Sequence, residues 1–370
     1  MPRTNQPYPC VVIVGGTLSE LRDGELQRPG APPRTALKRL AESLADMGYG
    51  SFRYDQVGQG ESRAKAGYRD LYGGDAQVLS EIYAYVRSRP ECSKLIAAGE
   101  SAGAYIISLA ARAGAQADAY MFLGGFCGKA EEIFAYNFGR LAEYVEASSE
   151  HRAWAKESHL DRDMAFGHRW RAMFAAAHAG KDVYELQDGS YRQTVRLARR
   201  KEEIDNPPDE MFAYIKGPAL ALAGTRDLNV APHHAACAVA IMQKAGNLKS
   251  RAELIESADH NFQIAPDDAD LAIRERFTFA SFRRPYHPEL DHEIAEWLHE
   301  VAPTAGSRHA DADHSHAPAN PGGRASYSHA LQKAEIAPRT DVSPERVHLA
   351  PGLTLIDDCG FRSKWGTDSV

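Results

Sequence analysis

Cysteine is scarce: five residues in 370, at positions 10, 92, 127, 237 and 359. Their number is odd, their spacing is wide and no Cys-x-x-Cys pair occurs. No disulfide framework is therefore expected, and a reducing, cytoplasmic setting is. Long apolar runs are missing as well. The N-terminal run Val11 to Val14 is far too short for a signal-peptide core, and no run reaches the length of a membrane span. Basic blocks are also lacking. With 43 Lys and Arg against 50 Asp and Glu the formal net charge is −7, which argues against nucleic acid as a partner. The third glycine of a dinucleotide-binding G-x-G-x-x-G is absent, both after Gly15-Gly16 and at Gly58-Gln59-Gly60. No cofactor is expected.

What remains is ordinary globular material, 44% hydrophobic and 25% charged, enough for one large domain with an insertion or two modest ones. Strand-like and helix-like segments alternate, the mark of a mostly parallel α/β sheet. Strands are predicted at Cys10 to Val14, in the segment from Gly50, at Leu95 to Ala98, Ala119 to Leu123, Pro218 to Ala223 and Glu253 to Glu256. Helices are predicted over Thr35 to Met47, Asp75 to Arg89, Ala104 to Arg112 and Pro288 to Val301.

The most informative segment is Gly99-Glu-Ser-Ala-Gly103. It lies between an apolar strand and a helix, the context of a Gly-x-Ser-x-Gly nucleophile elbow, in which a sharp turn lifts the central hydroxyl clear of the sheet. Ser101 is the candidate nucleophile. A serine hydroxyl needs an imidazole to take its proton, and that imidazole needs a carboxylate to hold its tautomer. Both types follow in a workable order. Asp227 comes three residues after the apolar run that ends at Gly224, and His260 closes the alternating run from Ala252. Asp259 is a rival acid, but a residue adjacent to the histidine points elsewhere on most loops, so Asp227 is preferred. The early strand Cys10 to Val14 runs into Gly15-Gly16-Thr17. The N–H groups of Thr17 and Ala102 are the candidate oxyanion donors.

A fourth segment, Asp55-Gln-Val-Gly58-Gln-Gly60-Glu-Ser62, reads as a structural turn. Together the four segments resemble the α/β-hydrolase superfamily, most like its serine aminopeptidase and monoglyceride-lipase-like branch, over about residues 10 to 300. Gly15 stands where many relatives carry histidine. Relatives also place a strand pair before the first strand, and only nine residues precede Cys10 here, so the sheet is expected to be shortened at one edge.

The resemblance implies a core over residues 1–125 and 217–301, split by a helical cap insertion over 126–216 that roofs the site with aromatic rings. Within it His168, His178 and the run Arg199-Arg-Lys-Glu-Glu203 read as solvated surface. Residues 302–370 read as linker or disorder with a small β element around Pro351-Gly352, placed to cover the short edge. His309, Asp311, Asp313, His314 and His316 within it lack the rigid frame that metal ligands need, so no metal site is expected. The implied activity is serine hydrolysis of a carboxylic ester or related acyl bond in a small molecule. Acyl transfer or thioester cleavage by the same residues, and a non-catalytic binding module, stay open as alternatives.

Overall fold

Three strand-and-helix units begin the chain: β1 (Tyr8–Val14), α1 (Ala36–Asp46), β2 (Gly50–Tyr54), α2 (Tyr72–Ser88), β3 (Cys92–Glu100) and α3 (Ala102–Arg112), followed by β4 (Ala119–Leu123). A long excursion then carries α4 (Ala130–Phe134), a π-helical turn (Ala135–Gly139), α5 (Arg140–Glu146), α6 (Ser149–Glu157) and α7 (Asp161–His178). It continues with β5 (Val183–Asp188), β6 (Tyr191–Arg196), α8 (Ala198–Asp205) and α9 (Pro208–Met211). The chain returns through β7 (Ala219–Gly224), α10 (His233–Lys244), β8 (Ser250–Ile255), α11 (Ala269–Thr278) and α12 (Pro288–Val301), and then β9 (Glu345–Ala350) and β10 (Leu353–Asp357). The computed structural model describes residues 6–28, 30–64, 68, 70–304 and the backbone of 345–350 and 353–357.

The sheet order is β8-β7-β4-β3-β1-β2-β10-β9. The first six strands are parallel. On the β2 edge β10 pairs antiparallel, with Leu355 opposite Tyr54, and β9 pairs antiparallel with β10. The rest of the predicted linker from residue 305, including the His309 to His316 cluster, lies outside the described residues.

Period-two alternation sorts the apolar strands onto two faces. From β1, Cys10, Val12 and Val14 join Leu79, Ile82 and Val86 of α2, Tyr105 and Ile107 of α3 and Met242 of α10. Val11 and Ile13 join Leu37, Leu40 and Leu44 of α1 with Leu290, Ile294, Trp297 and Leu298 of α12 on the other face. Each of the large side chains of α12 gains about 1.5–3 kcal/mol from such burial. The result is a three-layer α/β sandwich in which the C-termini of the six mutually parallel strands open on one side, where ligands bind in this architecture.

Two expectations need correction. The excursion is not wholly helical, because β5 and β6 form an antiparallel hairpin from Val183–Arg196 to Asp188–Tyr191. The cysteines are also not all unpaired. Cys10 and Cys92 are bonded across β1 and β3 with Cα atoms 5.4 Å apart, and Cys127 and Cys237 join the start of the excursion to α10 at 5.9 Å. Parallel neighbours bring together residues distant in sequence, which spacing alone does not display. The ground for expecting a reducing compartment goes with it. Among the described residues, no helix is long and apolar enough to cross a membrane.

Candidate active site

The elbow forms because β3 must turn into α3 with almost no room. A Cβ on Gly99 would lie 2.6 Å from the Ala104 nitrogen, and one on Gly103 would lie 2.2 Å from the Val14 carbonyl oxygen. Only glycine tolerates either approach. Ser101 between them has φ 51° and ψ −118°, a strained conformation for a residue with a side chain, which costs on the order of 1–3 kcal/mol. Its N–H donates to the Leu123 carbonyl at the end of β4 at 2.8 Å, which ties the elbow to the neighbouring strand.

Asp227 follows β7 and His260 follows β8, so both descend from strand C-termini on the same side as Ser101. The Asp227 carboxylate uses both oxygens. Its Oδ1 accepts the N–H groups of Asn229 at 2.7 Å and Val230 at 2.9 Å, and its Oδ2 lies 2.7 Å from His260 Nδ1. An acceptor there fixes the proton on Nδ1 and leaves the Nε2 lone pair free. Both side chains are buried. The π-helical turn adds a further hold, since the Tyr136 hydroxyl donates to the Asp227 carbonyl at 2.7 Å.

Asp259 is engaged differently. Its Oδ1 accepts the N–H groups of Asn261 and Gln263 at 2.8 and 2.9 Å, and burial pushes its carboxyl up to about 6 against those two bonds. It shapes the turn that carries His260.

Ser101 and His260 open on one cavity of about 330 Å³, and Thr17 lines it with them. Gly16 lies hard against the elbow: a Cβ on it would stand 2.6 Å from both the Glu100 carbonyl oxygen and Ser101 Cβ. The Gly16 N–H is taken by Glu100 Oε2 at 3.1 Å. Among the described residues no acceptor takes the Thr17 N–H. Ala102 opens α3, where the first N–H groups have no partner inside the helix.

Sequence reasoning missed the ionic support beneath the elbow. Glu100 is buried and pairs with the buried guanidinium of Arg34, which also donates to Asn261 Oδ1 at 2.9 Å and to the Gly24 carbonyl at 2.7 Å. Ser19 donates to Glu100 as well. Burial alone would raise the Glu100 carboxyl, but Arg34, the Ser19 hydroxyl and the Gly16 N–H more than offset it and hold it below the ordinary value. One network thus ties the elbow, the loop after β1 and the loop of His260. The clue was a lone charged residue inside the elbow at the end of an apolar strand, which must find a partner.

Reading the Arg199 to Glu203 run as solvated surface is also corrected. Arg199, Arg200 and Glu203 line the cavity, and Glu203 is buried beside Arg200 at 3.0 Å. Burial outweighs that partner and pushes Glu203 up to about 7. His168, by contrast, is partly exposed and sits 2.7 Å from Asp188, and exposed His178 sits 2.8 Å from Glu131, outside the cavity. Among the described residues, no group of three or more His, Cys, Asp or Glu comes together as a metal site would require.

A family model described as serine aminopeptidase, S33, matches residues 35–267. Among solved structures, Est1E from Butyrivibrio proteoclasticus with ferulic acid bound is similar at 14% identity, covering 77% of this chain and 92% of that one, with a TM-score of 0.46. A monoacylglycerol lipase from Paleococcus ferrophilus is similar at 15% identity over 80% and 97% of the two chains, with a TM-score of 0.47. No curated protein matches the sequence.

Proposed function

The chain belongs to the serine aminopeptidase S33 family of α/β-hydrolases, and we propose that it cleaves a carboxylic ester or related acyl bond through Ser101, His260 and Asp227. One observation carries this reading: His260 is held by Asp227 at 2.7 Å while its ring and the strained Ser101 face the same cavity. In the proposed cycle His260 Nε2 takes the Ser101 proton as the oxygen attacks the carbonyl carbon. Asp227 stabilises the imidazolium without itself taking the proton. The N–H groups of Thr17 and Ala102 hold the oxyanion, each worth about 3–4 kcal/mol in the transition state. His260 then returns the proton to the departing alcohol. Water, deprotonated by the same ring, releases the acyl group from Ser101. The excursion acts as the cap over this chemistry, its phenylalanines keeping water away.

The test is turnover of p-nitrophenyl esters of graded chain length, beside a thioester and an aminoacyl amide. Ser101→Ala and His260→Ala should each lose on the order of a million-fold in kcat. Equal turnover by the variants and the parent protein would defeat the assignment.

A further inference from the structure

The cavity wall is rich in guanidinium groups, and their partners differ. Arg200 has Glu203 at 3.0 Å, and Arg199 has Asp70 and Asp75. Arg28 and Arg162 share a single carboxylate, that of Asp163, at 3.6 and 3.7 Å. Arg276 of α11 has no carboxylate within ion-pair distance among the described residues. It is held by two neutral amides instead: Nε donates to Asn229 Oδ1, and Nη2 donates to Asn137 Oδ1 at 3.2 Å. Asn137 comes from the π-helical turn of the excursion, and π-helical turns are frequent at functional sites. Asn229 is the residue whose N–H binds Asp227 at 2.7 Å, so a single residue separates this guanidinium from the proposed catalytic acid.

A guanidinium has five N–H donors. Two are spent on the asparagines, and the other three have no acceptor among the described residues. Joining two amide oxygens needs donors but no charge, and a charge in a wall of this kind is costly unless something pairs with it. Burial pushes Arg276 down to about 10 even with Asp163, Asp227 and Asp259 within electrostatic range. It still carries its proton at neutral pH. With five arginines and only Asp163 and Glu203 as acids among its lining residues, the cavity holds surplus positive charge.

We propose that Arg276 recognises a carboxylate on the substrate, which makes the substrate an anionic ester or related acyl compound. The planar fork, oriented by Asn137 and Asn229, suits bidentate pairing with a carboxylate. This specificity rests on the hydrolase reading, and the two can fail separately.

The experiment compares isosteric pairs. Phenyl half-esters of C4 to C8 diacids are set beside the same esters with the free carboxylate replaced by a carboxamide, and 3-carboxyphenyl butanoate beside 3-carbamoylphenyl butanoate. The carboxylate should be preferred at least tenfold in kcat/KM in one or more pairs. Arg276→Met should bring that preference within about threefold of unity, and Arg276→Lys should retain part of it. No preference in any pair, or an equal fall for both members in Arg276→Met, would overturn the proposal while leaving the hydrolase reading standing. If no ester is turned over, calorimetry with Ser101→Ala and the C4 to C8 diacid monoamides decides the point. Binding of the monoanions but not of the corresponding diamides supports Arg276 without the hydrolase, and absence of binding sinks both.

Discussion

Arg34 and Glu100 form a buried ion pair beneath Ser101, with one partner just before α1 and the other at the end of β3. Removing one partner of such a pair leaves an uncompensated charge in the interior, which costs about 3–5 kcal/mol. Arg34→Met should lose roughly that much in urea unfolding. Arg34→Met combined with Glu100→Leu should recover most of it, because no charge is then stranded. Equal loss in the single and double variants would contradict this account of the pair.

The same pair makes a pH prediction. Folding lowers the Glu100 pKa from its ordinary 4.5. Its contribution to stability is therefore present above pH 4.5 and is lost as pH falls through the lower, folded value. Glu100→Gln, measured by unfolding from pH 7 down to pH 3, should flatten the acid limb of the stability profile. An unchanged acid slope would contradict the role given to this carboxyl.

Asp227 and Asp259 make a second pair worth separating. Asp227 contacts the imidazole and Asp259 contacts backbone N–H groups. Asp227→Asn should cost about 10⁴-fold in kcat by holding the wrong tautomer. Asp259→Asn should cost less than about tenfold, since an amide oxygen still accepts both N–H groups. Steady-state kinetics on one ester decides it, and a reversed order would exchange the two roles.

How far the chain could be read from its sequence depended on distance. The limits of β4 and of α12 are legible because a short apolar block closes at Gly124-Gly125 and Pro288 starts a helix at helical apolar spacing. The elbow is legible for the same reason: its glycines, its strand and its helix are contiguous. The β5–β6 hairpin is less so. Exposed and shielded residues alternate along both strands, but Leu186 alone among them is fully buried. Polar Asp188 and Gln193 share the shielded face with Tyr184, Tyr191 and Val195, so the apolar signal is weak. Gly189-Ser190, the two residues between the paired Asp188 and Tyr191, are the turn signal that would have found it. Arg200 and Glu203 look like solvent-facing charges within α8. Only the fold shows that this face of the helix turns toward the cavity. The disulfides and the Arg34–Glu100 pair join residues 66 to 110 positions apart, so no local pattern announces them.

The cysteine pairing predicts a thiol count. Thiol titration in denaturant without reductant should find one reactive group per chain, that of Cys359, and five after reduction. Cys10→Ala and Cys127→Ala should each lower stability by about 2–5 kcal/mol under oxidising conditions. Five reactive thiols without reductant would contradict the pairing.

The central claim is that Ser101 is the nucleophile, and its most direct test is a fluorophosphonate followed by mass mapping. One adduct per chain, on Ser101, is the predicted result, with no adduct on Ser101→Ala and slow labelling of His260→Ala. An adduct that persists on Ser101→Ala, or that maps to another residue of the parent protein, would contradict the claim.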